Sequence, residues 1–141
     1  MSKLVVFPLI FFHFIPLFVL SATVQRNDFY MNLRCGPLYL YGTVEIDTDA
    51  LTPNVIHFDE YDEGIIRFWF FKDGIYGLDV TVTTNCGAIN KVDEKCMNVF
   101  KLHLTPLGQL PDNTQLFGKD INTGIQLQEM IERNEFTTEC S

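Results

Sequence analysis

The sequence predicts an all-β chain, a two-sheet antiparallel β-sandwich of about seven to eight short strands tied by disulfides. Three observations predict it. Apolar residues recur at every second position in several short runs, the period of a strand with one buried face. Turn-forming residues separate those runs. Four cysteines, Cys35, Cys86, Cys96 and Cys140, follow a hydrophobic leader, and thiols behind such a leader meet an oxidising compartment.

The leader comes first along the chain. Lys3 gives a positive start, residues 4–20 are apolar apart from His13, and Ser21 and Ala22 are small enough for a peptidase to cut beside them. A transmembrane anchor needs about 20 uninterrupted apolar residues, whereas Pro8, His13 and Pro16 interrupt this stretch. Residues 1–22 are therefore expected to be a signal peptide, cleaved after Ser21 or Ala22, and residues 23–141 a single secreted domain. Cleavage would remove Phe7, Phe11, Phe12, Phe14 and Phe18 together with Lys3. Loss of that one cation takes the formal net charge from -8 to -9.

The strands follow. Residues 38–46 form a β-rich run with Tyr39, Tyr41, Thr43 and Val44. Residues 65–71 are apolar on both faces apart from Arg67, which suits a centrally buried strand or an interface strand. Asp73-Gly74 after that run is a turn signal. Leu78, Val80 and Val82 alternate with Asp79, Thr81 and Thr83, and Phe100, Leu102 and Leu104 with Lys101 and His103. Gly108, Pro111, Asp112 and Asn113 mark a longer loop. Ile121, Thr123, Ile125 and Leu127 alternate as a strand would, yet residues 126–134 are also the one stretch that reads as a helix. Ile125, Leu127, Met130 and Ile131 do not decide between the two.

Cys86 closes one predicted strand and Cys96 opens the next, so a bridge between them would pin a hairpin-like connection. Cys35 and Cys140 lie near the ends of the domain, and their bridge would tie the termini together. On the loop-entropy model the terminal bridge stabilises by about 4.7 kcal/mol and the short one by about 3. The two other pairings stay open at this point. A four-cysteine zinc site wants close Cys pairs and a reducing compartment, and neither is expected here.

Several of these residues resemble the transthyretin-like proteins secreted by nematodes. The resemblance begins at Leu33-Arg34-Cys35-Gly36 and continues in Asp79-Val80-Thr81-Val82-Thr83-Thr84-Asn85-Cys86, a strand ending in cysteine. It resumes at Cys96 and the strand Met97-Asn98-Val99-Phe100-Lys101-Leu102-His103-Leu104, which is followed by Pro106. Gly118-Lys119-Asp120-Ile121-Asn122-Thr123-Gly124-Ile125-Gln126-Leu127 resembles the segment around the penultimate strand, and Glu139-Cys140 the family's ending. Residues 42–77 depart from the family pattern, and Thr84-Asn85 stand where the family has His-Asp before its second cysteine. The resemblance implies a transthyretin-type β-sandwich, secretion, and non-catalytic roles in binding or extracellular signalling.

Charge excludes one class of partner. At a formal -8 with 10 Lys and Arg against 18 Asp and Glu, the chain lacks the clustered cations that nucleic acid requires. An anionic membrane surface is disfavoured for the same reason. No Asn-x-Ser/Thr acceptor for N-glycosylation occurs.

Four constellations could carry chemistry. Asp59, Glu60, Asp62 and Glu63 form a weak calcium candidate, because hard cations take carboxylate oxygens. They lack the EF-hand spacing, so a solvated loop and no bound metal are expected. His57 and His103 have no partner defined by the sequence, and with all four thiols oxidised no Cys nucleophile remains. The transthyretin-related 5-hydroxyisourate hydrolases end in Tyr-Arg-Gly-Ser and use early histidines. This chain ends Thr138-Glu139-Cys140-Ser141 and has only His57 in its mature N-terminal half, so the resemblance stops at the fold. No catalysis and no cofactor are expected. Arg67, Trp69 and Phe71, sharing one face with Ile65, are the candidate interface, since Trp and Arg are enriched at binding hot spots.

The expected function is thus that of a secreted extracellular module binding a protein or cell-surface partner. The alternatives are a carrier of a small hydrophobic ligand, as in the channel of a homodimer, and the hydrolase.

Overall fold

Ten strands, one 3₁₀ turn and one short helix succeed one another in the residues that the computed structural model describes, 25–47, 54–72, 77–118 and 124–141. They are β1 (Gln25–Arg34), β2 (Gly42–Asp47), β3 (Asn54–Phe58), the 3₁₀ turn (Glu60–Asp62), β4 (Ile65–Lys72), β5 (Leu78–Thr84), β6 (Cys96–Leu104), β7 (Pro106–Gln109), β8 (Gln115–Gly118), β9 (Ile125–Gln126), α1 (Leu127–Glu132) and β10 (Thr137–Cys140). The predicted leader and the Asp73-Gly74 turn lie outside the described residues, as do Ile121 and Thr123.

The strands form two sheets, the all-β sandwich the alternation predicts. One runs β4-β1-β8-β7 with β9 against the end of β1, the other β10-β6-β5-β2-β3. The second sheet is antiparallel throughout. The first is not. β1 is antiparallel to β4 but parallel to β8 and β9. β1 meets β8 and β9 through long connections rather than a tight hairpin, and only a tight hairpin obliges neighbours to run in opposite directions.

Alternation decides which side chains meet between the sheets. Phe29, Met31 and Leu33 of β1 and Phe117 of β8 turn inward from one sheet. Val44, Ile46, Leu78, Val80, Val82 and Phe100 turn inward from the other, and all are essentially buried. Full burial of each such side chain stabilises by about 1.5–3 kcal/mol. The outward positions Asp79, Lys101 and His103 are exposed, as the period requires. Glycine sets how closely β8 approaches β1. Gly118 lies at φ +134, and a Cβ there would stand 1.5 Å from the Tyr30 carbonyl oxygen.

Three elements differ from expectation. The strand read over residues 38–46 begins only at Gly42. Before it, side chains rather than a ladder satisfy the backbone. Tyr41 N–H donates to Asn85 Oδ1 (3.1 Å), Asn85 Nδ2 donates to the Tyr39 carbonyl (3.2 Å), and Thr84 Oγ1 donates to the Tyr41 carbonyl (2.8 Å). The loop around Gly108 and Pro111 is a hairpin, because Leu107 and Gly108 continue β7 through a bulge and the turn occupies only residues 110–114. The stretch after Gly124 is strand for two residues and then helix. In α1, Leu127 and Met130 are buried, and Ile131 packs against the core beside them. This i, i+3, i+4 spacing suits a helical face better than a strand face.

Cys35 bonds to Cys86 and Cys96 to Cys140. This corrects the hairpin-and-termini pairing. β10 pairs with β6 so that Cys140 stands directly opposite Cys96, with Cα atoms 4.1 Å apart. Cys35 follows β1 in one sheet and Cys86 follows β5 in the other, 5.9 Å apart, so their bridge joins the sheets. Beside it, buried Asn98 donates to the Cys86 carbonyl and accepts from Thr138 Oγ1, both at 2.8 Å. The two bridges span 51 and 44 residues. Loop entropy then assigns them nearly equal contributions, about 4 kcal/mol each.

Two predictions follow from these contacts. The double variants Cys35→Ala/Cys86→Ala and Cys96→Ala/Cys140→Ala should lose stability within about 1 kcal/mol of each other in denaturant unfolding. A non-reducing peptide map joining Cys86 to Cys96 would refute the pairing. The second concerns the β7–β8 turn, where the Asp112 carboxylate accepts from the Thr114 N–H at 3.1 Å. Hydrogen bonds from Thr114, side chain first and backbone second, hold the Asp112 carboxyl below the ordinary carboxylate range. A depressed folded value means the contribution is present above the unfolded value and is lost as pH falls through the folded one. The Thr114 amide resonance should therefore titrate with a midpoint below that of Asp112 in the unfolded chain. A midpoint equal to the unfolded one would show that the turn leaves the carboxylate free.

Candidate interaction surface

β4 is built from Ile65-Ile66-Arg67-Phe68-Trp69-Phe70-Phe71-Lys72, and its alternation assigns the side chains to two faces. Ile66 and Phe70 are buried in the core and Phe68 packs against it. Arg67, Trp69 and Phe71 share the outward face with half-buried Ile65. The strand lies at the end of its sheet. Among the described residues β4 has a ladder neighbour on one side, and Trp69 and Phe71 are exposed, against the centrally buried alternative for residues 65–71.

Pairing with β1 supplies what the sequence alone does not reveal. Arg26 stands opposite Phe71, Asp28 opposite Trp69, and Tyr30 opposite Arg67. The two arginines then stack diagonally and directly on aromatic rings. The Arg26 guanidinium lies 5.4 Å from the centre of the Trp69 ring, and that of Arg67 lies 5.3 Å from the centre of Tyr30. Both distances fall within the cation–π range. Trp69 and Phe71 meet edge to face, with centroids 5.6 Å apart. Arg26 Nε also donates to Asp28 Oδ1 at 3.1 Å, which fixes its approach to Trp69.

The result is an aromatic patch held in place and open to solvent. Trp69 is 56% and Phe71 62% exposed. Burying such rings elsewhere in this core is routine, so their joint exposure on one face is the informative feature. Arg26 over Trp69 limits the rotamers of that ring, and its edge contact limits those of Phe71. Pre-ordering of this kind lowers the entropy lost on any binding.

The other candidate residues are placed differently. Asp59, Glu60, Asp62 and Glu63 surround the 3₁₀ turn, and two of these carboxylates cap it. Asp59 Oδ1 accepts from Tyr61 N–H (2.9 Å) and Asp62 Oδ2 from Asp59 N–H (2.8 Å). Their oxygens thus terminate the turn. Among the described residues, the cluster tight enough for an ion is Glu94 with Cys96 and Cys140, and those two sulfurs are already bonded to each other. His57 is exposed on β3. His103 faces outward as expected but does have a partner. Its Nδ1 lies 2.8 Å from Asp79 Oδ1, with both side chains largely in water. Register places the two opposite each other, and an exposed pair of this kind contributes about 0–1 kcal/mol.

Comparison of the chain with protein-family models, with curated proteins and with solved structures finds no match.

Trp69 is the sole tryptophan of the chain, so its fluorescence reports on the patch alone. Arg26→Gln should increase quenching of that fluorescence by acrylamide while costing at most about 1 kcal/mol of stability. Unchanged quenching would show that Arg26 does not hold the ring.

Proposed function

We propose that this chain is a secreted, transthyretin-like extracellular module that recognises a protein or cell-surface partner without catalysis, through the outward face of β4 and β1. One observation carries the reading: Trp69 and Phe71 are exposed together on β4, where Arg26 of β1 stacks on Trp69 and Arg67 of β4 stacks on Tyr30. Aromatic and arginine side chains dominate the energetics of protein interfaces, and near the centre of one each contributes about 2 kcal/mol or more. The two disulfides suit an oxidising extracellular setting. The cysteine-ended strands around Cys35, Cys86, Cys96 and Cys140 support the family resemblance. The chain's acidity turns aside nucleic acid. Arg26 on this face is already paired with Asp28, so Arg67 is the cation that favours a partner offering apolar groups beside a carboxylate.

The test is saturable binding of the labelled, secreted chain to cells, with Trp69→Ala and Arg67→Ala as comparators. Binding weaker by about tenfold or more, at a melting temperature within a few degrees of the parent, is the expected outcome. Equal binding by all three proteins would remove this face from the reading. Native mass spectrometry of the same material provides the second arm. A small molecule retained by the chain would replace partner recognition with the carrier role.

A further inference from the structure

We propose that the open edge of β4 pairs with β4 of a second copy of this chain, in antiparallel register about a two-fold axis through Phe68. The backbone parity of the strand is the first support. Leu33 N–H donates to the Gly64 carbonyl at 2.8 Å, and these residues stand opposite each other one step beyond the Asn32–Ile65 pair. Bonded and non-bonded pairs alternate along an antiparallel ladder. Met31–Ile66, Phe29–Phe68 and Asn27–Phe70 are then the bonded pairs. The N–H and C=O groups of Ile65, Arg67, Trp69 and Phe71 point away from β1. Among the described residues, β1 is the sole ladder partner of β4.

Composition is the second support. Edge strands are normally guarded by proline, by bulges or by several charges. β4 contains no proline and, before its last residue Lys72, one charge, that of Arg67, and it pairs with β1 over eight residues without a register shift. Such an edge accepts another strand.

Register selects the partner. Two-fold antiparallel pairing brings side chains of the same face together, so the axis passes through a residue. An axis through Arg67 would set two guanidiniums against each other. An axis through Trp69 would leave Ile65 without a counterpart in the strand. An axis through Phe68 opposes Arg67 of each copy to Trp69 of the other, and Ile65 to Phe71. It engages every outward-pointing backbone position of residues 65–71, each opposed pair exchanging two hydrogen bonds. Half-buried Phe68 would meet its own counterpart on the core side. The same patch thus serves both copies, the isologous contact that closes at a dimer. Edge pairing leaves the outward face uncovered, so this inference stands apart from partner recognition and would double the face available to a partner.

The test uses the secreted chain with both disulfides intact. Sedimentation should show a dimer at about 100 µM chain. Trp69→Pro removes an N–H that points to the open edge, where proline is tolerated, and should raise the dimer Kd by about 100-fold or more. Cysteine cross-linking reads the register. Arg67→Cys chains mixed with Trp69→Cys chains should form a disulfide-linked dimer. Each variant alone should not, because like positions then lie beyond the ~7 Å Cα separation a disulfide bridges. A monomer at that concentration would overturn the proposal, and so would a dimer indifferent to Trp69→Pro. Self-cross-linking of Trp69→Cys would place the axis at Trp69 and overturn the Phe68 register. Failure of the unsubstituted chain to bind cells while it still forms the dimer would count against the partner reading alone.

Discussion

The ladder position of β1, between β4 and β8 and bonded at its end to the opposite sheet, is the constraint from which the rest of this structure follows. Its inward residues Phe29, Met31 and Leu33 fill one wall of the core. Its backbone fixes β4 on one side and β8 on the other. Cys35, immediately after the strand, is joined to Cys86 beyond β5. Displacing β1 would therefore break its ladders with β4, β8 and β9, open the core and strain the inter-sheet bridge together. These costs concentrate in one element, which is why close backbone approach is conceded at Gly118.

The same ladder creates the candidate surface. β4 by itself is an apolar strand with an arginine in it. Beside β1, its outward face acquires Arg26 over Trp69 and leaves Tyr30 under Arg67. The cations hold rings that would otherwise sample several rotamers, and the inward half of β4 anchors the strand through Ile66 and Phe70. Core and surface are thus two faces of one eight-residue strand. A change at Phe70 acts on the core, and a change at Trp69 acts on the exposed face.

The helix and the side-chain network at one end of the sandwich close the core where no strand does. Ile131 of α1 lies against Gly87, next to Cys86. Asn98 and Thr138 satisfy the polar groups buried there. Thr84 and Asn85 hold the irregular segment 39–41 against the end of β5. The work of these two residues is structural.

What the sequence determined by itself is what depends on neighbours along the chain. The alternations at residues 78–83 and 100–104 set strand and face, because a side-chain period of two needs no knowledge of the partner strand. That Arg67, Trp69 and Phe71 share one face of β4 was legible for the same reason, whereas which face meets the core was not, because both are apolar. Only the tertiary structure decided what depends on register. The parallel pairing of β1 with β8, the Cys35–Cys86 and Cys96–Cys140 bonds, the Asp79–His103 pair and the stacking of Arg26 on Trp69 all join residues more than twenty positions apart. The turn after Gly124 belongs to the same class, since Leu127 serves strand and helix patterns equally until a core is present to favour one. Local periodicity carries no information about which strands become neighbours. That choice falls to packing between the sheets, which the chain settles only when it closes on itself.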